Sequence, residues 1–302
     1  MRDKVPEMNA GTEKAEDPAE AVSRLVALFD IERLEDNLFR GGTGSVGWRR
    51  VYGGQVLAQA LVAGMRSVGP ERDVHSLHGY FILPGELGKP IIYEVENLRD
   101  GRSFSTRRVK AIQNGQTIFV MVASFHRSED GLDHQDVMPD VPPPSELKSA
   151  HELFSGDYSD LPESMQRFWK RFRSIEFRPV DVTRYLDRSQ RGSTQQIWFK
   201  TAGQLPESNE VHSALLVYIS DFALLETALS PHGKILSDPD VRLASLDHAL
   251  WFHRPFRADS WLLYSLESPS TSGSRGYCRG QIFSEDGRLV ASTTQEGLMR
   301  IG

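Results

Sequence analysis

The sequence predicts an α+β protein in which one unit, a buried helix followed by an antiparallel meander of strands, occurs twice. Three observations carry this. Two apolar stretches of helical spacing with almost no charge, Gln55 to Val68 and roughly Val211 to Leu229, read as helices buried on every side. Each is followed by four extended segments, and a turn dipeptide, Asn114-Gly115 or Asp286-Gly287, precedes the last of them. The copies also keep register. His78-Gly79-Tyr80-Phe81 resembles His248-Ala249-Leu250-Trp251, 170 positions on, and the turn dipeptides lie 172 apart.

The chain opens with Met1 to Asp17, a mixture of charges with Pro and Gly that is expected to be a disordered tail. Asp17-Pro18-Ala19-Glu20 then places a capping residue, a proline at the first helical position and a glutamate at the third. Val22, Leu25, Val26 and Phe29 give the helix that follows one apolar stripe. Ile31 to Phe39 also reads as helical. The run Gly42 to Gly47 satisfies G-x-G-x-x-G, but it leads into Trp48 to Tyr52, which reads as a strand, so a dinucleotide site is rejected in favour of a loop.

After the first buried helix come the extended pieces Val74 to Leu83, Ile91 to Leu98, Ser103 to Ile112 and Gln116 to Phe125. From Ser128 to Asp160 nine acidic residues stand against one lysine, with Pro139 and Pro142-Pro143-Pro144, which is the composition of a linker. The second copy has an extended Ser193 to Lys200, its helix, and strands near Ser245 to His253, Trp261 to Glu267, Tyr277 to Phe283 and Leu289 to Met299. The expected organisation is therefore a tail over 1–17, a first unit over 18–127, a linker over 128–160 and a second unit over 161–302. A helix cradled by a long antiparallel sheet, present twice, is the pattern of a double hot-dog fold. Strands apolar on both faces, such as Trp261 to Tyr264 and Ile118 to Val122, fit a sheet covered on both sides and suggest oligomers.

Composition narrows the function classes. With 302 residues, 39% of them hydrophobic and 25% charged, the chain is neither disordered nor fibrous. A net charge of −6 argues against wholesale capture of nucleic acid or anionic membrane. One cysteine, Cys278, forms no intrachain disulfide. The apolar run Ile118 to Phe125 falls far short of the roughly 20 residues that span a bilayer, and Met1 to Asp17 builds no secretory apolar region, so a cytoplasmic protein is expected.

Several candidate motifs have plain structural readings. His75 and His78, three apart on a strand, point to opposite faces and make a poor metal pair, and His248 and His253 fail likewise. No G-x-S-x-G elbow occurs, and Cys278 reads as packing rather than nucleophile. Arg99, Arg102, Arg107, Arg108 and Lys110 against Asp100 make a local excess of positive charge, a candidate phosphate seat or a charged strand edge. Asp221 is different. It sits in an otherwise apolar helix, where an ionised carboxylate costs several kcal/mol without partners. Ser245 and Gln295, also polar in apolar surroundings in the same half, are candidates to surround one water with it.

These residues bring a resemblance into view. Gly53-Gly54-Gln55-Val56-Leu57-Ala58-Gln59-Ala60-Leu61, His75 to Phe81 with Pro84-Gly85, and Arg99 to Val109 in the first half resemble the acyl-CoA thioesterase II family. So do Ser220-Asp221-Phe222, Leu246 to Phe256 and Ala291 to Gly297 in the second, and the likeness runs over about Val22 to Arg300. It implies a double hot-dog enzyme that hydrolyses fatty acyl-CoA to free acid and coenzyme A, without metal or cofactor, as a homo-oligomer, dimer or tetramer. The family's acid, hydroxyl and carboxamide fall on Asp221, Ser245 and Gln295. Many bacterial members have threonine where this chain has Ser245. Gly54, His78, Arg107 and Arg108 are the expected substrate-binding residues. Two other readings of the same pocket stand beside this one: a hot-dog hydratase or dehydratase using a histidine with the acid, and a non-catalytic acyl-CoA binding protein.

Overall fold

The computed structural model describes residues 17–44, 50–153, 173–183 and 192–302. The tail expected before residue 17, the second half of the Gly42–Gly47 run, and residues 154–160 of the expected linker lie outside them.

Helix α1 (Pro18–Phe29) starts where the sequence signals it, with the Asp17 carboxylate accepting from Ala19 N–H at 3.0 Å, and buries Val22, Leu25 and Phe29. The stretch read as helical after it is instead a hairpin, β1 (Glu32–Glu35) and β2 (Leu38–Gly41). Glu32 faces Arg40 across it and pairs with it, a cross-strand ion pair that a helical register would not provide. Arg50 to Tyr52 are not a strand but the lead-in to helix α2 (Gly53–Met65), in which every residue from Gly54 to Gly64 is buried. The first unit is completed by β3 (Asp73–Phe81), β4 (Ile91–Asp100), β5 (Phe104–Gln113) and β6 (Gln116–His126), with Asn114 and Gly115 at positive φ in the expected hairpin turn.

The second unit runs β7 (Ile175–Pro179), β8 (Thr194–Thr201), helix α3 (Asn209–Ser220), then β9 (Val241–Ser245), β10 (Asp247–Phe252), β11 (Leu262–Ser272), β12 (Arg275–Ser284) and β13 (Leu289–Ile301). The long helix expected to Leu229 stops at Asp221. A turn with Ala223 at φ 62° separates α3 from a 3-10 segment, Leu225–His232. The apolar stretch Asn209–His232, long enough to be weighed as a membrane span, is mostly buried in the core.

All the described strands are antiparallel in one sheet of order β1-β2-β4-β5-β6-β3-β10-β13-β12-β11-β8-β7, with β9 paired to β13. The two units join edge to edge where β3 meets β10, Leu77 opposite Leu250. The sheet wraps α2 and α3, which pack antiparallel against each other: Tyr52 at the start of α2 donates to Tyr218 O near the end of α3, while Arg66 at the end of α2 is ion-paired to Glu210 at the start of α3 at 2.8 Å. The repeat is real in architecture, but the sequence alignment is out of step for side chains. His78 is exposed on the outer face of the sheet and His248 is fully buried on the inner one, so the two are not equivalent positions.

The acidic linker is not a loose tether where it is described. Arg254 pairs with Asp133, Gln281 donates to Asp136, and Trp198 Nε1 donates to Pro142 O at 3.0 Å. Met138, Val141 and Leu147 thereby cover Trp198, Leu263 and Phe283 on the outer face of the second unit. Backbone chemistry was legible as non-helical and non-strand, but its apolar residues were too few and too scattered to announce a packed strap.

Candidate active site

Buried polar groups gather where the start of α2 lies beside the end of α3. Asp221 caps the C-terminus of α3, and the N-terminus of α2 lies against it. The fit depends on two glycines. A Cβ on Gly53 would stand 2.8 Å from Asp221 Oδ2, and one on Gly54 would stand 2.4 Å from the backbone oxygen of Tyr218. With no Cβ at either position, the α2 backbone approaches closely enough for the Gly54 N–H to donate to the Asp221 carboxylate.

Ser245, at the end of β9, and Gln295, on β13, complete the cluster. Gln295 Nε2 donates to Asp221 Oδ1 at 2.7 Å and to Ser245 Oγ at 3.0 Å, so one carboxamide bridges the acid and the hydroxyl. Three side chains separated by up to 74 positions in the chain are thus brought into direct contact. Burial pushes the Asp221 carboxyl up to about 6, against the hydrogen bonds from Gln295 and Gly54, which favour its ionised form. The end of α3 is held from both sides. Tyr52 and Tyr264 donate to Tyr218 O and Ser220 O at 3.0 and 2.8 Å, satisfying carbonyls that the helix end leaves without internal partners.

Asp221 and Ser245 line a cleft of about 670 Å³, whose walls include Val56, Phe81, Ile118, Phe222, Leu225 and Leu243. Ala223, in the same wall, keeps its left-handed backbone because its carbonyl accepts from Gln195 Nε2 and from the Thr227 hydroxyl and amide. The cleft combines an apolar trough with a polar end at Asp221 and Ser245. Among its described lining residues, the cations are Arg50 and Arg242.

The residues expected to seat a phosphate lie elsewhere. Arg107 is buried on the inner face of β5, donating to Ser67 Oγ and O and to the carbonyls of Arg99 and Thr106, and ion-paired to Asp100 at 2.7 Å. Its donors are consumed by the fold. Arg108 faces out and pairs with Glu96, and His78 packs against the edge of Trp251 on the outer sheet face; none of the three borders the cleft. Arg50 and Arg242 escaped sequence reading because exposed arginines outside a longer basic run carry no distinguishing pattern. Tyr52 had a usable signal in its place just before Gly53-Gly54.

The chain matches two family models, "Acyl-CoA thioesterase" over residues 170–298 and "Acyl-CoA thioesterase N-terminal domain" over 39–126. It is 41% identical to acyl-CoA thioesterase 2 of Haemophilus influenzae over 286 residues, which cover 93% of this chain and 99% of the relative. Human acyl-coenzyme A thioesterase 8 is 38% identical over 96% of this chain and 93% of its own length. Among solved structures, the acyl-CoA thioesterase II TesB2 of Mycobacterium marinum superposes with a TM-score of 0.77 at 40% identity, covering 91% of this chain and 97% of that one.

Two substitutions check the geometry. Gly54→Ala sets a methyl group against the Tyr218 backbone oxygen and forces α2 and α3 apart; a misplacement on this scale should lower turnover about 100-fold, read by steady-state release of free thiol. Arg107→Ala should lower the urea midpoint by the equivalent of about 2–4 kcal/mol and leave KM for substrate unchanged. A raised KM with unaltered stability would return Arg107 to the binding site.

Proposed function

The chain belongs to the acyl-CoA thioesterase II family of double hot-dog acyl-CoA thioester hydrolases, and from that premise we propose that Asp221, Ser245 and Gln295 hold and activate the water that attacks the thioester of a fatty acyl-CoA. The observation that carries the reading is the bridge itself: Gln295 Nε2 bonds both Asp221 and Ser245, and those two open onto an apolar cleft.

In this mechanism the Asp221 carboxylate takes a proton from the water while its oxygen adds to the thioester carbonyl carbon. The resulting oxyanion is met by a backbone donor at the positive end of α2. Gly54 N–H is committed to Asp221, so Gly53 N–H, at the first helical position, is the candidate of the pair. Collapse of the adduct breaks the carbon–sulfur bond, and the proton on Asp221 passes to the departing thiolate, restoring the carboxylate. Among the described residues that line the cleft there is no histidine, which disfavours the proton relay that a hydratase or dehydratase needs. Arg50 and Arg242 at the cleft take the role first expected of Arg107 and Arg108, that of meeting phosphates of the coenzyme. A homo-oligomer is part of the same reading, supported by exposed Tyr80, Phe104 and Val122 on the outer face of the first unit, which the strap does not cover.

Asp221→Asn should reduce kcat by at least 10²–10³-fold with every acyl-CoA tested. Because the carboxylate form is the base and burial raises its pKa to about 6 in the free protein, wild-type kcat/KM should rise with pH through that value and level off above it. The stability consequence has the opposite sense. A carboxyl whose folded pKa is raised from 3.8 to about 6 contributes its stabilisation below the unfolded value, and the contribution is lost as pH rises through the folded one. Wild type should therefore lose on the order of 3 kcal/mol between pH 3.8 and pH 8 from this group, and Asp221→Asn should lose less, as urea melts at the two pH values will show. Undiminished hydrolysis by Asp221→Asn would remove the assigned site. Arg50→Ala and Arg242→Ala should each raise KM several-fold and spare kcat, since contacts remote from the carbonyl bind substrate and transition state alike.

A further inference from the structure

Behind the proposed water site lies a titratable group that the hydrolytic steps do not use. His248 on β10 is fully buried, and its Nε2 lies 2.9 Å from Ser220 Oγ, the hydroxyl of the residue before Asp221. The Ser220 hydroxyl donates its one hydrogen to Val217 O at 2.8 Å. Its oxygen must then accept from His248, which fixes the proton on Nε2 and leaves Nδ1 as a bare acceptor. Burial, which pushes the imidazole pKa down to about 3, keeps it neutral.

Nδ1 of His248 is buried with no protein partner, and so is Oε1 of Gln295. The ladder between β10 and β13 runs through the pair Ala249↔Thr294, and His248 and Gln295 are the next residues along it. Both are buried, 0% and 1% exposed, on the inner face. The Gln295 oxygen is an acceptor by necessity: the other orientation of the amide would turn it onto the Asp221 carboxylate and deny both Asp221 Oδ1 and Ser245 Oγ a donor. Two acceptors on neighbouring strands cannot satisfy each other. A molecule with two donor hydrogens satisfies both, and an unpaired buried acceptor is costly enough to recruit one.

We propose that a buried water donates one hydrogen to His248 Nδ1 and the other to Gln295 Oε1, making His248 a positioning residue that sets the direction of the Gln295 amide. It does not touch substrate. It acts on one side through Ser220 on the helix end that carries Asp221, and on the other through the water on the amide that bridges Asp221 to Ser245. The inference rests on the hydrolytic reading of those three residues.

The first test uses wild-type protein: a high-resolution crystal structure should show a water within hydrogen-bond distance of both atoms, and an empty or apolar gap there overturns the proposal. The second is kinetic. His248→Gln keeps an N–H for Ser220 and removes the Nδ1 acceptor; His248→Asn keeps an acceptor near Nδ1. His248→Gln should lower kcat about 10-fold at unchanged KM and move the acid limb of the kcat profile to higher pH, because a turned Gln295 amide withdraws a bond that favours the Asp221 carboxylate. His248→Asn should recover part of the loss. In a Gln295→Ala background, His248→Gln should add nothing further; equal losses in both backgrounds would show a general structural effect and overturn the positioning role. Wild-type kinetics in the His248 variants beside an inactive Asp221→Asn would defeat this inference alone, whereas an active Asp221→Asn defeats the site beneath it.

Discussion

The structure turns on placing one carboxylate out of water between two helix ends. Asp221 sits at the C-terminus of α3, whose dipole disfavours negative charge, and faces the N-terminus of α2, whose dipole and Gly54 N–H favour it. Burial outweighs the favourable contacts and raises the carboxyl to about 6, a value suited to the base proposed above. Much of the surrounding architecture serves that balance. The glycines let α2 come within reach, and Tyr52 and Tyr264 bind the last carbonyls of α3. Arg66 and Glu210 fasten the far end of the helix pair.

Duplication explains why there is one such place and not two. Antiparallel packing of α2 on α3 creates two junctions, each joining the end of one helix to the start of the other. At one, Gly53-Gly54 meets Asp221. At the other, Arg66 meets Glu210, Asp30 and the Ile31 carbonyl, and an ion pair fills the space that the first junction leaves to the site. Neither unit could build the site alone. The backbone donor comes from the first half, and the acid, hydroxyl and amide come from the second. The outer faces have diverged in the same way, one covered by the strap through Met138 and Val141 and the other left bare around Phe104 and Val122.

Much of this was legible in order and pattern. The apolar helices, the hairpin turns and the odd carboxylate at Asp221 are all local signals, and local signals survive in a single sequence. What failed was the facing of side chains. His78 and His248 look alike as words but lie on opposite sheet faces, because strand registry alternates every residue and an insertion of one reverses it. Arg107 looked like a phosphate ligand because charge is visible in sequence, whereas the carbonyls of Ser67, Arg99 and Thr106 that consume its donors are not. The break at Asp221 was equally hidden: Ala223 has no turn preference, and its left-handed backbone is braced by Gln195 and Thr227, which donate to its carbonyl.

On the proposed reading, the chemistry asked of these side chains is modest. A thioester carbonyl needs a directed water, a weak base and a donor for the oxyanion, so neither metal nor nucleophilic side chain is required of the protein. Direction then becomes the limiting requirement. An amide can point either way, and Gln295 is useful only with its NH₂ toward Asp221 and Ser245. The carboxylate already favours that choice, because a reversed amide would set its oxygen against Asp221 Oδ1. In the proposed arrangement a water on the oxygen side of the amide reinforces it, and there β10 places a neutral imidazole held by Ser220. On that proposal the residue before the acid and the amide that bridges acid to hydroxyl share one support, the His248 ring.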